Sequence, residues 1–121
     1  MADLATEDEL AQYDAMFIAT SNALGDALRI LKRLEATTLD HNEKDKITDE
    51  RRDVEDRIAQ VDREMTAFFA GDLALRPPTA AMVSSVVKTA RDLALLTQQA
   101  TTLVAVMKLT KFVVDKYKSL G

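Results

Sequence analysis

The chain has 121 residues, with three glycines, two prolines and no cysteine, and its 20 acidic and 16 basic residues give a net charge of −4. The lack of cysteine excludes disulfides and thiolate chemistry, and the few turn-forming residues argue against a sheet, which needs a turn after each short strand. With 47% hydrophobic and 30% charged residues, the composition predicts one globular domain over residues 1–121 rather than a disordered chain.

The first predicted element is a helix over about residues 6–38. Thr6 and Glu9 have the spacing of a capping box, and Glu7 and Asp8 add negative charge near the positive end of the helix dipole. Core-type residues then follow in steps of three and four: Leu10, Tyr13, Phe17, Thr20, Leu24, Ala27, Leu31 and Leu34. This spacing predicts one buried stripe along the helix.

The second predicted helix covers about residues 43–70 and follows a break in the segment TTLDHN. Its apolar stripe is Ile47, Val54, Ile58, Val61, Met65 and Phe68. Because this stripe is shifted by one position relative to the first, a single unbroken helix would turn one of the two stripes away from the core. Asp40, Thr48 and Asp49 all suit the N-cap, and the sequence does not choose among them. Gly71 has the position of a glycine that ends a helix.

The third predicted helix covers residues 78–119, with Pro78 at its first position and no glycine or proline from Thr79 to Ser119. Its stripe is Met82, Val86, Thr89, Leu93, Leu96, Ala100, Leu103, Met107, Thr110, Val114 and Tyr117. At 1.5 Å per residue this helix would be ~60 Å long, the longest of the three. Short connections make consecutive helices antiparallel, so the predicted fold is an all-α, up-down-up three-helix bundle.

The charged segment DHNEKDKITDERRDVEDR, residues 40–57, is interpreted as a turn and a solvated helix face. A calcium loop starting at Asp40 fails because Lys44, Asp45 and Arg51 occupy positions that need an oxygen ligand, glycine and glutamate. Zinc is disfavoured by one histidine and no cysteine. A phosphotransfer role for His41 is the least favoured functional alternative, because the spacing to Lys44 suits such a domain but the acidic residues around it do not.

No catalytic constellation emerges from the sequence, and the expected protein is not an enzyme. The serines share a single histidine, which the predicted bundle places far from Ser84. The glycines form no phosphate-binding loop, and no Glu-x-x-His pair exists for a di-metal site. No cofactor and no metal are therefore predicted.

The third helix carries more apolar residues than one stripe requires, and its C-terminal part would project beyond the first helix. A helix that is apolar on several sides is central in its bundle or covered by something else. The sequence therefore predicts a protein-binding surface, for a second copy or another helical protein. Its residues are Leu109, Phe112, Val113 and Tyr117, ringed by Lys108, Lys111 and Lys116. The alternative, that these residues complete the core beneath a connecting loop, stays open.

A second class of function is binding to a membrane surface, as in secreted toxins and translocators, because the third helix is amphipathic and ends in lysines. Nucleic acid is not an expected partner, since residues 1–28 and 29–72 carry net charges of −6 and −3 and only residues 73–121 are positive, at +5. The start MADLATEDEL is acidic where a secretory leader is basic, so a cytoplasmic location, or export without such a leader, is expected. Length and alanine, threonine and leucine usage would suit a small bacterial protein.

Overall fold

The computed structural model describes residues 6–121, and within this range it contains four α-helices and no strand. They are α1 (Glu7–Thr37), α2 (His41–Phe69), α3 (Ala80–Leu96) and α4 (Leu103–Lys118). The all-α prediction is confirmed, and the first two helices begin and end within two residues of their predicted limits. The prediction of three helices is wrong, because the third predicted helix is two. Residues 1–5, which the predicted domain includes, lie outside the described residues.

α1 begins as its sequence predicts. The Thr6 side-chain oxygen accepts a hydrogen bond from the Glu9 amide at 3.1 Å, while the Thr6 hydroxyl donates to the Glu9 carboxylate at 3.3 Å. The predicted stripe is buried from Tyr13 to Leu31. A second stripe, Met16, Ala19, Ala23 and Ile30, is buried beside it. Two buried stripes are needed because α1 packs against each of the other three helices.

A short corner joins α1 to α2. Asp40 is the N-cap of α2, and its carboxylate accepts hydrogen bonds from the amides of Asn42 at 2.9 Å and Glu43 at 3.4 Å. Arg51 and Thr48 both donate to the Glu35 carboxylate, so the end of α1 is bonded to the start of α2. Hydrogen bonding to Arg51, and then to Thr48, lowers the pKa of Glu35. The two helices are therefore antiparallel and fixed at this corner.

α2 ends at the predicted glycine. Gly71 has a φ of 82°, and its amide donates to the carbonyl oxygen of Phe68 while the Asp72 amide donates to that of Ala67. This pair of bonds is the Schellman arrangement, which favours glycine because a side chain is strained at positive φ. The predicted stripe of α2 faces the core, with Ile47, Val54 and Val61 buried and the remainder packed against them.

The third predicted helix breaks at residues 97–102, where the segment TQQATT contains neither glycine nor proline. Thr102 caps α4 by accepting a hydrogen bond from the Ala105 amide, and the Arg33 guanidinium of α1 donates to the carbonyl oxygens of Leu96, Thr97 and Gln99. These contacts satisfy backbone groups that a helix end leaves unpaired. Because Arg33 comes from another part of the chain, local sequence gives little sign of the break.

The start of the predicted third helix also differs. α3 begins at Ala80 with Thr79 as its N-cap, and the Thr79 hydroxyl oxygen accepts a hydrogen bond from the Met82 amide at 3.1 Å. Pro78 is therefore not the first helical residue, and its ring is buried just ahead of the helix. A threonine satisfies an orphan amide at the N-cap, which a proline side chain cannot do.

α3 and α4 form a hairpin that lies along α1. The Tyr13 hydroxyl donates to the carbonyl oxygen of Leu75, and Arg33 bonds the end of α3, so α3 runs parallel to α1. α4 then returns, and the Arg76 amide donates to the carbonyl oxygen of Leu120 at 2.7 Å. The expected projection of the C-terminal segment is wrong, because folding back buries much of the apolar surface that a ~60 Å helix would leave open.

The end of the bundle where α1 begins is rich in aromatic side chains. Phe17 lies at the centre of this cluster, with ring centroids 5.8 Å from Phe68, 5.9 Å from Phe69 and 6.1 Å from Tyr117. The Tyr13 and Phe68 rings are tilted by 43° with their centroids 4.4 Å apart. α1, α2 and α4 thus meet through tilted and edge-on ring contacts, which stabilise the core beyond the area that they bury.

Candidate functional site

An open groove of about 610 Å³ runs between α2 and α4. Among the described helices, α2 packs closely only against α1, whereas α4 packs against both α1 and α3. α2 and α4 run in the same direction, and near one end the Tyr117 hydroxyl of α4 donates a hydrogen bond to the Glu64 carboxylate of α2. The channel between the two helices extends away from this bond, and we call it the α2–α4 groove.

Apolar side chains of α4 open into the α2–α4 groove. Val104 and Met107 line it with 74% and 40% of their surface exposed, and Val114 lies half-buried beside them. Single exposed apolar residues are ordinary on a protein surface, but several beside one groove form a patch that another apolar surface can cover. The flexible thioether of Met107 can adapt its shape to different neighbours.

The two walls of the groove carry opposite charge. The α2 wall has a net charge of −1, because its charged lining residues are Glu50, Asp53 and Arg57. The α4 wall has a net charge of +2, because its charged lining residues are Lys108, Lys111, Lys118 and Asp115. Within residues 6–121, the ion pairs are Asp26–Arg29, Glu35–Arg51 and Arg51–Glu55, so none joins the two walls.

Glu50 is the most perturbed carboxyl group of the groove. Partial burial raises its pKa, and the nearby carboxylate of Asp53 raises it further. Neither cause is offset by a cation in contact with Glu50, since the ion pairs described above do not include it. An incoming cation would therefore stabilise the ionised form of Glu50 more than a typical surface carboxylate.

The structure separates the seven residues of the predicted partner-binding surface into four locations. Val113 and Tyr117 are core residues, with 0% and 8% of their surface exposed. Leu109 is half-buried and packs against the core. Lys108 and Lys111 lie in the α2–α4 groove.

Phe112 and Lys116, the other two residues of that surface, lie on α4 beside the groove but do not line it. The Lys116 ammonium is 5.5 Å from the centroid of the Phe112 ring, which is within the range of a cation–π contact. Phe112 retains 38% exposure. At 100° per residue Phe112 is turned by only about 40° from Lys108, so Lys108, Phe112 and Lys116 follow one another along α4. The predicted patch is interrupted instead by the burial of Val113 and Tyr117.

His41 is the first residue of α2, where it is exposed and follows the Asp40 cap directly. Within residues 6–121, no three histidine, aspartate or glutamate side chains form a group that could hold a metal ion. In the same range, no helix is both long and apolar enough to cross a membrane.

The sequence points to only part of the groove, for two different reasons. It predicts Met107 and Val114 in the core, because a continuous third helix keeps them in one stripe with Leu103 and Thr110. After the break, the buried stripe of α4 is Leu103, Val106, Thr110, Val113 and Tyr117, which turns Met107 outward beside Val104. Glu50 and Asp53 are predicted on a solvated face, and only the packing of α4 makes that face a wall.

Comparisons with protein families, with curated proteins and with solved structures find no significant match to this chain.

Proposed function

We propose that the protein is a non-enzymatic interaction module that binds a protein partner, either a second copy or another helical protein, through the α2–α4 groove. The observation that carries this proposal is the exposure of Val104 and Met107 beside a groove with charged walls. Burying such side chains is worth about 25 cal/mol per Å² of apolar surface, and the charged rim favours a partner in one orientation. Lys108 and Lys111, two of the residues expected from the sequence, belong to this rim.

The remaining predicted residues contribute to the proposed surface in different ways. Phe112 and Lys116 are accessible to a partner on the neighbouring flank of α4. Val113 and Tyr117 hold α4 in place from the core side and would act on binding only through the fold. Substituting either of these two core residues is therefore a test of stability and not of the binding surface.

Photo-cross-linking from the groove tests this proposal directly. A photoreactive amino acid in place of Val104 is expected to form covalent protein adducts in cells, because this side chain points out of the groove wall. The matched control carries the same group in place of Leu95, an α3 residue with 59% exposure that lies outside the groove. Met107→Glu in the cross-linking chain is expected to abolish the adduct by placing a charge within the contact.

Three outcomes contradict the proposal. Equal adduct yields from positions 104 and 95 would indicate non-specific capture, and adduct that survives Met107→Glu would place the contact elsewhere. Adducts with lipid and none with protein would favour the membrane-surface function in place of this one. Circular dichroism of each variant checks that the helical fold is retained.

A further inference from the structure

The opposed walls of the α2–α4 groove bear on the identity of its partner. The charged residues that line it give a net charge of −1 on the α2 wall (Glu50, Asp53 and Arg57) and +2 on the α4 wall (Lys108, Lys111, Asp115 and Lys118). In an isologous dimer the same patch serves both subunits and must complement itself. A patch divided lengthwise into a negative and a positive half meets that condition when the negative half of each copy faces the positive half of the other.

The positions of the charged residues along the helix axes define which of them would face each other in such a dimer. Asp53 lies 11 residues before Glu64 along α2, and Lys108 lies nine residues before Tyr117 along α4. At 1.5 Å per residue these positions are ~16 Å and ~14 Å from the Tyr117–Glu64 hydrogen bond, in the same direction. Asp53 and Lys108 thus stand at nearly the same level on opposite walls, without forming an ion pair within the chain.

We infer that the partner is a second copy of this chain, related by a twofold axis parallel to the helices that lays α2 of each copy along α4 of the other. This inference rests on the proposed function, because it names the protein that the groove binds. Asp53 of one copy then faces Lys108 of the second copy, and the symmetry repeats the pair. Val104 and Met107 of the two copies cover one another near the axis.

The area of this surface sets the expected strength of the dimer. The 16 residues of α4 span ~24 Å, and two adjacent helices are ~20 Å wide, so each copy offers roughly 500 Å². Two such faces bury about 1,000 Å², which is at the low end for specific interfaces. The dimer is therefore expected to be concentration-dependent, with a Kd of the order of 10–100 μM.

Charge reversal in sedimentation velocity tests the crossed arrangement. Asp53→Lys places two positive walls together and Lys108→Glu two negative walls, so each variant alone is expected to raise the dimer Kd about tenfold or more. An equimolar mixture of the two variants restores both opposite-charge contacts, and so does the double variant. Both are expected to dimerise within about threefold of the unchanged chain. Matched controls are Asp14→Lys and Lys88→Glu, which reverse exposed charges of α1 and α3 outside the groove.

The possible results separate this inference from the proposed function. A monomer throughout a series from about 10 μM to 1 mM overturns the inference, and it leaves the proposed function standing if position 104 still cross-links to a different protein. If the single variants dimerise with the same Kd as the control variants, self-association occurs through another face. Failure of the double variant to recover excludes the pairing of α2 with α4. A cross-linked species of twice 13.4 kDa from position 104 supports both proposals together.

Discussion

Thr20 illustrates how a single side chain limits the stability of this core. It lies in the middle of α1 with 0% exposure, and its hydroxyl has no hydrogen-bond partner within the described residues. The buried hydroxyl of Thr110 instead donates to the carbonyl oxygen of Val106 at 2.8 Å. A buried hydroxyl without a partner loses its hydrogen bonds to water and gains none in return.

Thr20→Val is therefore expected to stabilise the fold by about 1 kcal/mol, because valine has the same shape and no polar group to desolvate. Urea denaturation of the variant measures this change in the free energy of unfolding. Thr110→Val is the control and is expected to lose about 0.5–1 kcal/mol with its hydrogen bond. Equal stabilisation by both substitutions would contradict the explanation.

Gly71 and Gly25 have opposite effects on the helices in which they occur. Gly71 ends α2 at a φ of 82°, whereas Gly25 lies inside α1, where a Cβ atom would meet nothing within 4 Å. At position 71 alanine would be strained by the positive φ of the backbone, even though there is space for its side chain. At position 25 alanine removes the entropic cost of a helical glycine without creating a clash.

The matched pair Gly71→Ala and Gly25→Ala is expected to change stability in opposite directions. Gly71→Ala should destabilise the protein by about 1–2 kcal/mol, and Gly25→Ala should stabilise it by about 0.5–1 kcal/mol. Thermal unfolding followed by circular dichroism measures both. A stabilising Gly71→Ala would mean that α2 does not end in the left-handed turn.

The whole molecule depends on α4, because the hairpin that it forms with α3 completes the core. Leu103, Val106, Val113, Tyr117 and Leu120 are each at least 90% buried. At about 1.5–3 kcal/mol for each buried apolar side chain, their loss would remove roughly 7–15 kcal/mol. That is comparable to the total stability of a domain of this size, about 5–15 kcal/mol.

Deletion of residues 103–121 is therefore expected to abolish cooperative thermal unfolding, which calorimetry measures. The control replaces Lys108, Lys111 and Lys118 by glutamine in the full chain. These lysines are exposed, so the control is expected to unfold cooperatively near the temperature of the unchanged protein. Cooperative unfolding of the truncated chain would show that α4 is an accessory to the core.

The two long helices were predictable because their signals are local. Thr6 and Gly71 mark a start and an end by backbone chemistry that acts within a few residues, and the stripe containing Val54 and Val61 follows from the 3.6-residue period. The break at residues 97–102 was not predictable in this way, because Arg33 stabilises it from more than 60 residues away.

The sequence by itself determined that this protein is helical and where α1 and α2 lie, since capping, glycine conformation and apolar spacing are properties of short segments. Tertiary structure alone decided that the last forty residues fold into a hairpin. One helix of that length would have left its apolar sides in water, whereas two half-length helices bury them against α1 and each other. The same choice turned Met107 outward beside Val104 and α2, and thereby created the groove on which the proposed function depends.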